Sequence, residues 1–101
     1  MVERMMGRDF NAYDLAFRNH YQATYGNSRV PYDWYEPAYR YGLETARSEE
    51  FRGREWDMVK SELQADWKER GEEAAWKDVE EAIRHAWDTV SRMLESEEAA
   101  R

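Results

Sequence analysis

Large apolar residues recur in the C-terminal half of the chain at intervals of three and four positions. The segments Trp56–Trp67 and Trp76–Trp87 both follow the pattern Trp-x2-Val-x3-(Leu/Ile)-x3-Trp. These intervals place all the large residues on one face of a helix, whereas a strand alternates every two residues. Gly71 lies between the two copies and suits a helix C-terminus. The pattern predicts two antiparallel helices, 55–70 and 72–95, joined by a tight turn.

The N-terminal half repeats this spacing in Phe10, Tyr13, Phe17 and Tyr21. We expect a helix there, with Asp9 as its N-cap and Gly26 at its end, followed by a loop over 26–31. Pro37 predicts the first turn of a further helix, because its missing N–H has no helical partner at that position. Gly42 within that helix costs up to about 1 kcal/mol relative to Ala, so we expect another helix to approach closely there.

The periodicity therefore predicts an all-α fold, a small bundle of about four helices with a C-terminal antiparallel helical hairpin. A chain of 101 residues corresponds to one domain. We place that domain at 9–95, with a flexible N-terminus over 1–8 and a frayed tail over 96–101.

The tryptophans that frame each repeat permit two interpretations. They could form a ligand-stacking or cation–π site, or they could be core. We favour the core, since aromatic stripes on helices are usually buried. The predicted core consists of Phe10, Phe17, Leu43, Trp56, Val59, Leu63, Trp67, Trp76, Val79, Ile83, Trp87 and Val90.

All seven tyrosines lie between positions 13 and 41, among several arginines. They exceed what a short helix and a loop bury easily, and a mixture of Tyr, Trp and Arg is typical of protein interfaces. The alternative is that the tyrosines cover the core with their hydroxyls in water. The predicted interaction surface consists of Arg18, Tyr25, Arg29, Tyr32, Trp34, Tyr35, Tyr39 and Arg40.

Charged residues make up 37% of the chain, which would permit disorder, but the aromatic content of 15% favours a folded domain. The net charge of −7 arises entirely in residues 42–101, which hold 17 acidic and 10 basic residues. An acidic half repels phosphate backbones, so nucleic acid is not the expected partner. There is no cysteine, no secretory leader and no apolar run of membrane-spanning length, so we expect a cytoplasmic protein with no membrane association.

The chain offers few candidates for chemistry. His20 and His85 are its two histidines, and neither belongs to a His-x3-His or Glu-x2-His pair. No phosphate-binding glycine loop or recognisable nucleophile motif is present. We therefore predict no enzyme, no cofactor and no metal site.

Three functions remain under consideration. The first is a non-enzymatic helical interaction module with a protein partner or a second copy. The second is an acidic decoy that inhibits a nucleic-acid-binding protein. The third is a small-molecule or metal-binding enzyme, which would need the histidines and carboxylates within about 10 Å of each other and a pocket of roughly 300 Å³.

Several runs carry a resemblance to a known family: Phe17–Tyr21, the run Tyr-Glu-Pro-Ala-Tyr-Arg-Tyr-Gly at Tyr35–Gly42, the Arg-Gly-Arg-x-Trp run within Phe51–Trp56, and the repeated Trp-x10-Trp segments. The chain resembles small uncharacterised bacterial proteins of stress-tolerant lineages over about residues 9–90. The resemblance implies a bacterial, cytoplasmic, stress-associated protein and brings no activity, cofactor or catalytic residue. The chain departs from the family at Glu69–Glu73, where a proline-containing linker is usual.

Overall fold

A computed structural model describes residues 10–72 and 74–99, with side chains over 13–72 and 74–96. Four helices occupy most of this part of the chain, which contains no strand. The predicted all-α bundle is therefore confirmed. The helices are α1 (Phe10–Tyr25), α2 (Tyr32–Arg47), α3 (Trp56–Glu69) and α4 (Trp76–Ala99).

The two Trp-framed copies occupy equivalent positions in α3 and α4, because Trp56 and Trp76 are the first residues of their helices. The two helices run antiparallel. Lys60 forms an ion pair of 3.1 Å with Glu80, and near the other end the Trp67 indole N–H donates to the Ala74 carbonyl at 2.8 Å. The predicted C-terminal hairpin is thus confirmed. Gly71 adopts a φ of +71° in the turn, a conformation that strongly favours glycine.

The boundaries of α4 differ from the prediction. The helix begins at Trp76 rather than at position 72, and Ala74, whose carbonyl accepts the Trp67 indole N–H, precedes it. It continues to Ala99, so the residues expected to fray after position 95 are helical as far as they are described. The predicted N-cap Asp9 and the segment 1–8 lie outside the described residues, as do positions 100 and 101.

The position of Pro37 was predicted wrongly. We expected it in the first turn of a helix, but α2 begins at Tyr32 and Pro37 lies inside it. The missing N–H removes the hydrogen bond that would reach the Asp33 carbonyl. The helix tolerates this loss because its first turn is anchored by side chains, since Tyr32 and Tyr35 are both buried.

The most extensive helix–helix contact joins α2 to α4. Gly42 lies in this contact, where a Cβ atom would clash with the Ile83 carbonyl oxygen and would lie 2.8 Å from the Ala86 Cβ. The sequence prediction of a close approach at Gly42 is confirmed. α3 is tied to α2 by Tyr41, whose hydroxyl lies 3.0 Å from the Leu63 carbonyl and 2.8 Å from the Asp66 carboxylate, both acceptors.

Eleven of the twelve predicted core residues are buried, and the side chain of the twelfth, Phe10, lies outside the described part. The core also contains large side chains that were not assigned to it. These are Tyr32, Tyr35, Tyr39, Tyr41 and Phe51. Aromatic rings from α2 therefore complete the hydrophobic core that the Trp-framed repeat begins.

We expect Gly42→Ala to lower the free energy of unfolding by about 1–3 kcal/mol, because the added methyl group overpacks the contact between α2 and α4. Denaturant-induced unfolding followed by tryptophan fluorescence measures this loss. Glu44→Ala, two residues away on the exposed face of α2, serves as the control and should change stability by less than about 0.5 kcal/mol. Equal stability of the two variants would contradict the close approach.

Candidate functional site

The predicted interaction surface divides into buried and exposed parts. Tyr32, Tyr35 and Tyr39 retain only 8%, 5% and 0% of their accessible area, so their assignment to a surface is wrong. The reason is that α2 begins five residues before Pro37. This places Tyr32 and Tyr35 on a helix packed between α1 and α4, instead of on a loop, and Tyr39, which follows Pro37 and was expected on the helix, is buried in the same helix.

The remaining residues of that predicted surface are exposed or half-buried. Arg18 lies 4.4 Å from the Tyr32 ring centroid and pairs with Asp14 at 2.8 Å, and Arg40 pairs with Glu36 at 2.7 Å. Two of the three arginines are therefore engaged on their own helices. Tyr25 and Trp34 are half-buried and Arg29 is exposed. Three of the eight residues of the predicted surface are thus buried, and five remain exposed or half-buried.

The tyrosines of α1 and α2 form a stacked aromatic cluster. Tyr25 and Tyr35 stack with centroids 4.0 Å apart, and Phe17 stacks on Tyr39 at 5.2 Å. Burial raises the pKa of Tyr25 to about 12 and raises that of Tyr39 further, so both hydroxyls are neutral at physiological pH. The Tyr25 hydroxyl lies near the Ala82 backbone and has no hydrogen-bond partner among the described residues.

The two histidines meet beside this cluster. His20 of α1 and His85 of α4 stack with centroids 3.9 Å apart and an interplanar angle of 15°. His20 Nδ1 is hydrogen-bonded to the Tyr39 hydroxyl at 2.7 Å. On its other side, His20 Nε2 lies 3.2 Å from the Thr24 hydroxyl. The contact between the two histidines was not predicted, because no spacing motif links positions so far apart in the sequence.

Burial, together with the neighbouring His85, lowers the pKa of His20 to about 4. Burial also lowers the pKa of His85, an effect that Asp88 opposes and Arg92 reinforces. Both rings are therefore neutral at pH 7. Within the described part of the chain, no group of three or more His, Cys, Asp or Glu side chains is placed to hold a metal ion.

A groove of about 490 Å³ lies between the turn that precedes α3 and the C-terminal half of α4. We call it the Arg–Trp groove, after its lining residues Arg52, Arg54, Trp56, Arg84, Trp87 and Arg92. The Arg-Gly-Arg-x-Trp run supplies one wall. Gly53 in that run has a φ of +82°, and a Cβ added to it would have no other atom within 4 Å, so glycine is needed there for the turn rather than for space.

The electrostatics of the Arg–Trp groove are mixed. Carboxylates of Glu55, Asp57, Asp88 and Glu95 also line it, and Asp88 lies 3.6 Å from Arg84. The Arg84 guanidinium lies 5.8 Å from the Trp56 ring centroid. Trp56 and Trp87 are only 6% and 2% exposed, so they form the floor of the groove and do not offer a free stacking surface.

A second groove, of about 560 Å³, lies between the C-terminal end of α2 and α3. Five carboxylates and a single arginine line this acidic groove: Glu44, Glu50, Glu62, Asp66, Glu69 and Arg70. Neither histidine borders this groove or the Arg–Trp groove. An enzyme was expected to bring the histidines and carboxylates together at a pocket. The histidines are close to each other and the grooves are large enough, but the histidines lie outside both grooves.

No helix in the described ranges combines the length and the apolar character needed to cross a membrane. Comparison of the chain with protein-family models, curated proteins and solved structures gave no match.

Two Tyr→Phe variants test the hydrogen bonds of the tyrosine hydroxyls in the aromatic cluster. Tyr39→Phe should lower the free energy of unfolding by about 1 kcal/mol, since it removes the hydrogen bond to His20. Tyr25→Phe removes a buried hydroxyl without a described partner, so it should leave stability unchanged or raise it by about 0.5 kcal/mol. Urea unfolding at pH 7.5 compares the two. A greater loss for Tyr25→Phe than for Tyr39→Phe would contradict the assigned bonding.

Proposed function

We propose that the chain is a non-enzymatic helical interaction module, and that the Arg–Trp groove receives an acidic segment of a partner protein. The supporting observation is the placement of arginine. Residues 42–101 hold ten basic residues among seventeen acidic ones, and four of the ten line this groove. All four are arginines, whose planar fork binds carboxylates through two parallel hydrogen bonds.

The mixed lining favours a polypeptide over a nucleic acid. A bare polyanion would face Glu55, Asp57 and Glu95 as well as the arginines, and each carboxylate repels phosphate. A peptide can place its carboxylates opposite the arginines and its apolar side chains against the floor of the groove. Leu94 is half-buried at the edge of this floor and offers such a contact.

The cellular setting that we propose is the bacterial cytoplasm, with a role in stress physiology. It rests on the resemblance carried by the Tyr35–Gly42 and Phe51–Trp56 runs. The second of these runs supplies Arg52 and Arg54 to the groove.

A second candidate function is the acidic decoy. One observation favours it, namely the acidic groove, where five carboxylates face a single arginine. That arrangement is compatible with a basic segment of a nucleic-acid-binding protein. The first function remains our preferred proposal, because acidic residues outnumber basic ones by seventeen to ten in residues 42–101, yet four of those ten basic residues line one groove.

The first function predicts groove-specific binding of an acidic peptide. An alternating Glu–Leu peptide, titrated calorimetrically at low salt, should bind the wild-type chain, and Arg52→Glu with Arg92→Glu should weaken it by about tenfold or more. Arg29→Glu with Lys68→Glu is the matched control, because it makes the same change in charge at exposed positions outside the groove. Equal weakening by the two pairs, or no binding by the wild type, would remove the proposal.

The decoy function predicts competition for a cationic peptide. The chain should release a fluorescent DNA duplex from an oligolysine peptide, as measured by fluorescence polarisation. Glu44→Gln with Glu69→Gln should compete about threefold more weakly than wild type, since two carboxylates leave the acidic groove. Glu55→Gln with Glu95→Gln removes the same charge elsewhere and should compete better than the acidic-groove pair. Indistinguishable curves would exclude a groove-directed decoy.

A further inference from the structure

The stacked histidines form the contact between α1 and α4 that is most sensitive to charge. The rings face each other at 3.9 Å, and the Phe17 ring approaches His85 edge-on at 6.1 Å. Two positive charges at this separation repel strongly in a partly buried site. The stacked arrangement is therefore compatible with two neutral rings and opposes protonation of both.

The surroundings of the pair offer little compensation for a positive charge. α2 contributes the neutral Tyr39, and α1 contributes the neutral Tyr25, whose ring lies edge-on to His20 at 6.3 Å. On α4, the charged groups around His85 are Glu81, Asp88 and Arg92. Asp88 is already paired with Arg84.

α1 is the helix most easily released from the bundle. Phe17 is the single fully buried apolar side chain in the described part of α1, whereas the other buried core residues lie in α2, α3 and α4 and at Phe51 and Ala74 in the connections between them. The contact between α2 and α4, the most extensive in the bundle, does not involve α1. Loss of the histidine contact would thus leave most of the core in place.

We propose that the His20–His85 pair is an acid-sensitive latch: neutral, it holds α1 against α4, and its protonation releases α1 and uncovers the aromatic faces of Phe17 and Tyr39. This inference is independent of the Arg–Trp groove. The device responds to pH through a change in packing and requires no ligand.

The direction of the response follows from linkage. When α1 is docked, burial holds the pKa of His20 in α1 at about 4 and keeps the pKa of His85 in α4 below its ordinary value. When α1 is released, the pKa of His20 returns to about 6.5. Docking is therefore unaffected above pH 6.5, weakens as the pH falls below that value, and is lost most fully as the pH approaches 4. Because the rings are half-exposed, we expect an increase in the released fraction on the order of tenfold between pH 7.5 and pH 4.5.

Nuclear magnetic resonance of the full chain tests the latch. A titration from pH 7.5 to pH 4.5 should show His20 protonating well below pH 6.5 and His85 protonating below its ordinary value. Amide signals of residues 17–25 should shift or broaden in the same range, while those of Val59 and Leu63 in α3 persist. Histidine titration near pH 6.5 without a change in α1 would overturn the proposal, as would simultaneous loss of the α1 and α3 signals.

A variant without titrating rings separates the latch from general acid sensitivity. His20→Gln with His85→Phe retains one aromatic ring and a polar group near Tyr39, and its α1 signals should not vary with pH between 7.5 and 4.5. Acid release of α1 in this variant, equal to that of the wild type, would overturn the proposal. If the variant does not fold, the wild-type titration decides the matter alone, because it compares the histidine signals with those of α1 and α3.

Discussion

The approach of α2 to α4 at Gly42 sets the arrangement of the bundle. Gly42 has no side chain, and a Cβ atom added there would clash with the Ile83 carbonyl oxygen and lie 2.8 Å from the Ala86 Cβ. This close approach brings Tyr39 of α2 beside His85 of α4, with ring centroids 6.4 Å apart. α1 and α3 each pack against α4 through smaller contacts. A larger residue at position 42 would move α2 and with it every aromatic contact that α2 makes.

Polar atoms within the aromatic core determine how the helices align. The Trp67 indole N–H binds a backbone carbonyl in the turn before α4, the Tyr41 hydroxyl binds α3, and the Tyr39 hydroxyl binds His20 on α1. Apolar contacts are tolerant of small shifts, whereas a buried hydrogen bond is lost if its partner moves by about an ångström. The core is thin and rich in large aromatic rings, and these hydrogen bonds therefore favour one packing of it. The Tyr25 hydroxyl, without a partner in the described part of the chain, is the exception.

Charge is distributed unevenly over the two grooves. The acidic groove collects five carboxylates, while the Arg–Trp groove holds four arginines and an equal number of acids.

α4 connects the features to which we assign function, because Arg84 lines the Arg–Trp groove and the adjacent His85 stacks on His20. Successive residues of a helix point about 100° apart, so one helix presents a charged side chain to a surface groove and the next residue to the interior.

Much of the fold follows from the sequence alone, because helical periodicity is a local property. The stripe of Trp56, Val59, Leu63 and Trp67, together with its second copy, determined two helices and their buried faces, and a glycine inside a helix was enough to predict a close contact. Which distant residues meet was decided by the crossing of the helices. The stacking of His20 on His85, the gathering of four arginines around one groove and the burial of Tyr32, Tyr35 and Tyr39 each join residues that no spacing rule connects. The start of α2 ahead of Pro37 has the same origin, since packing of its first turn outweighs one missing hydrogen bond.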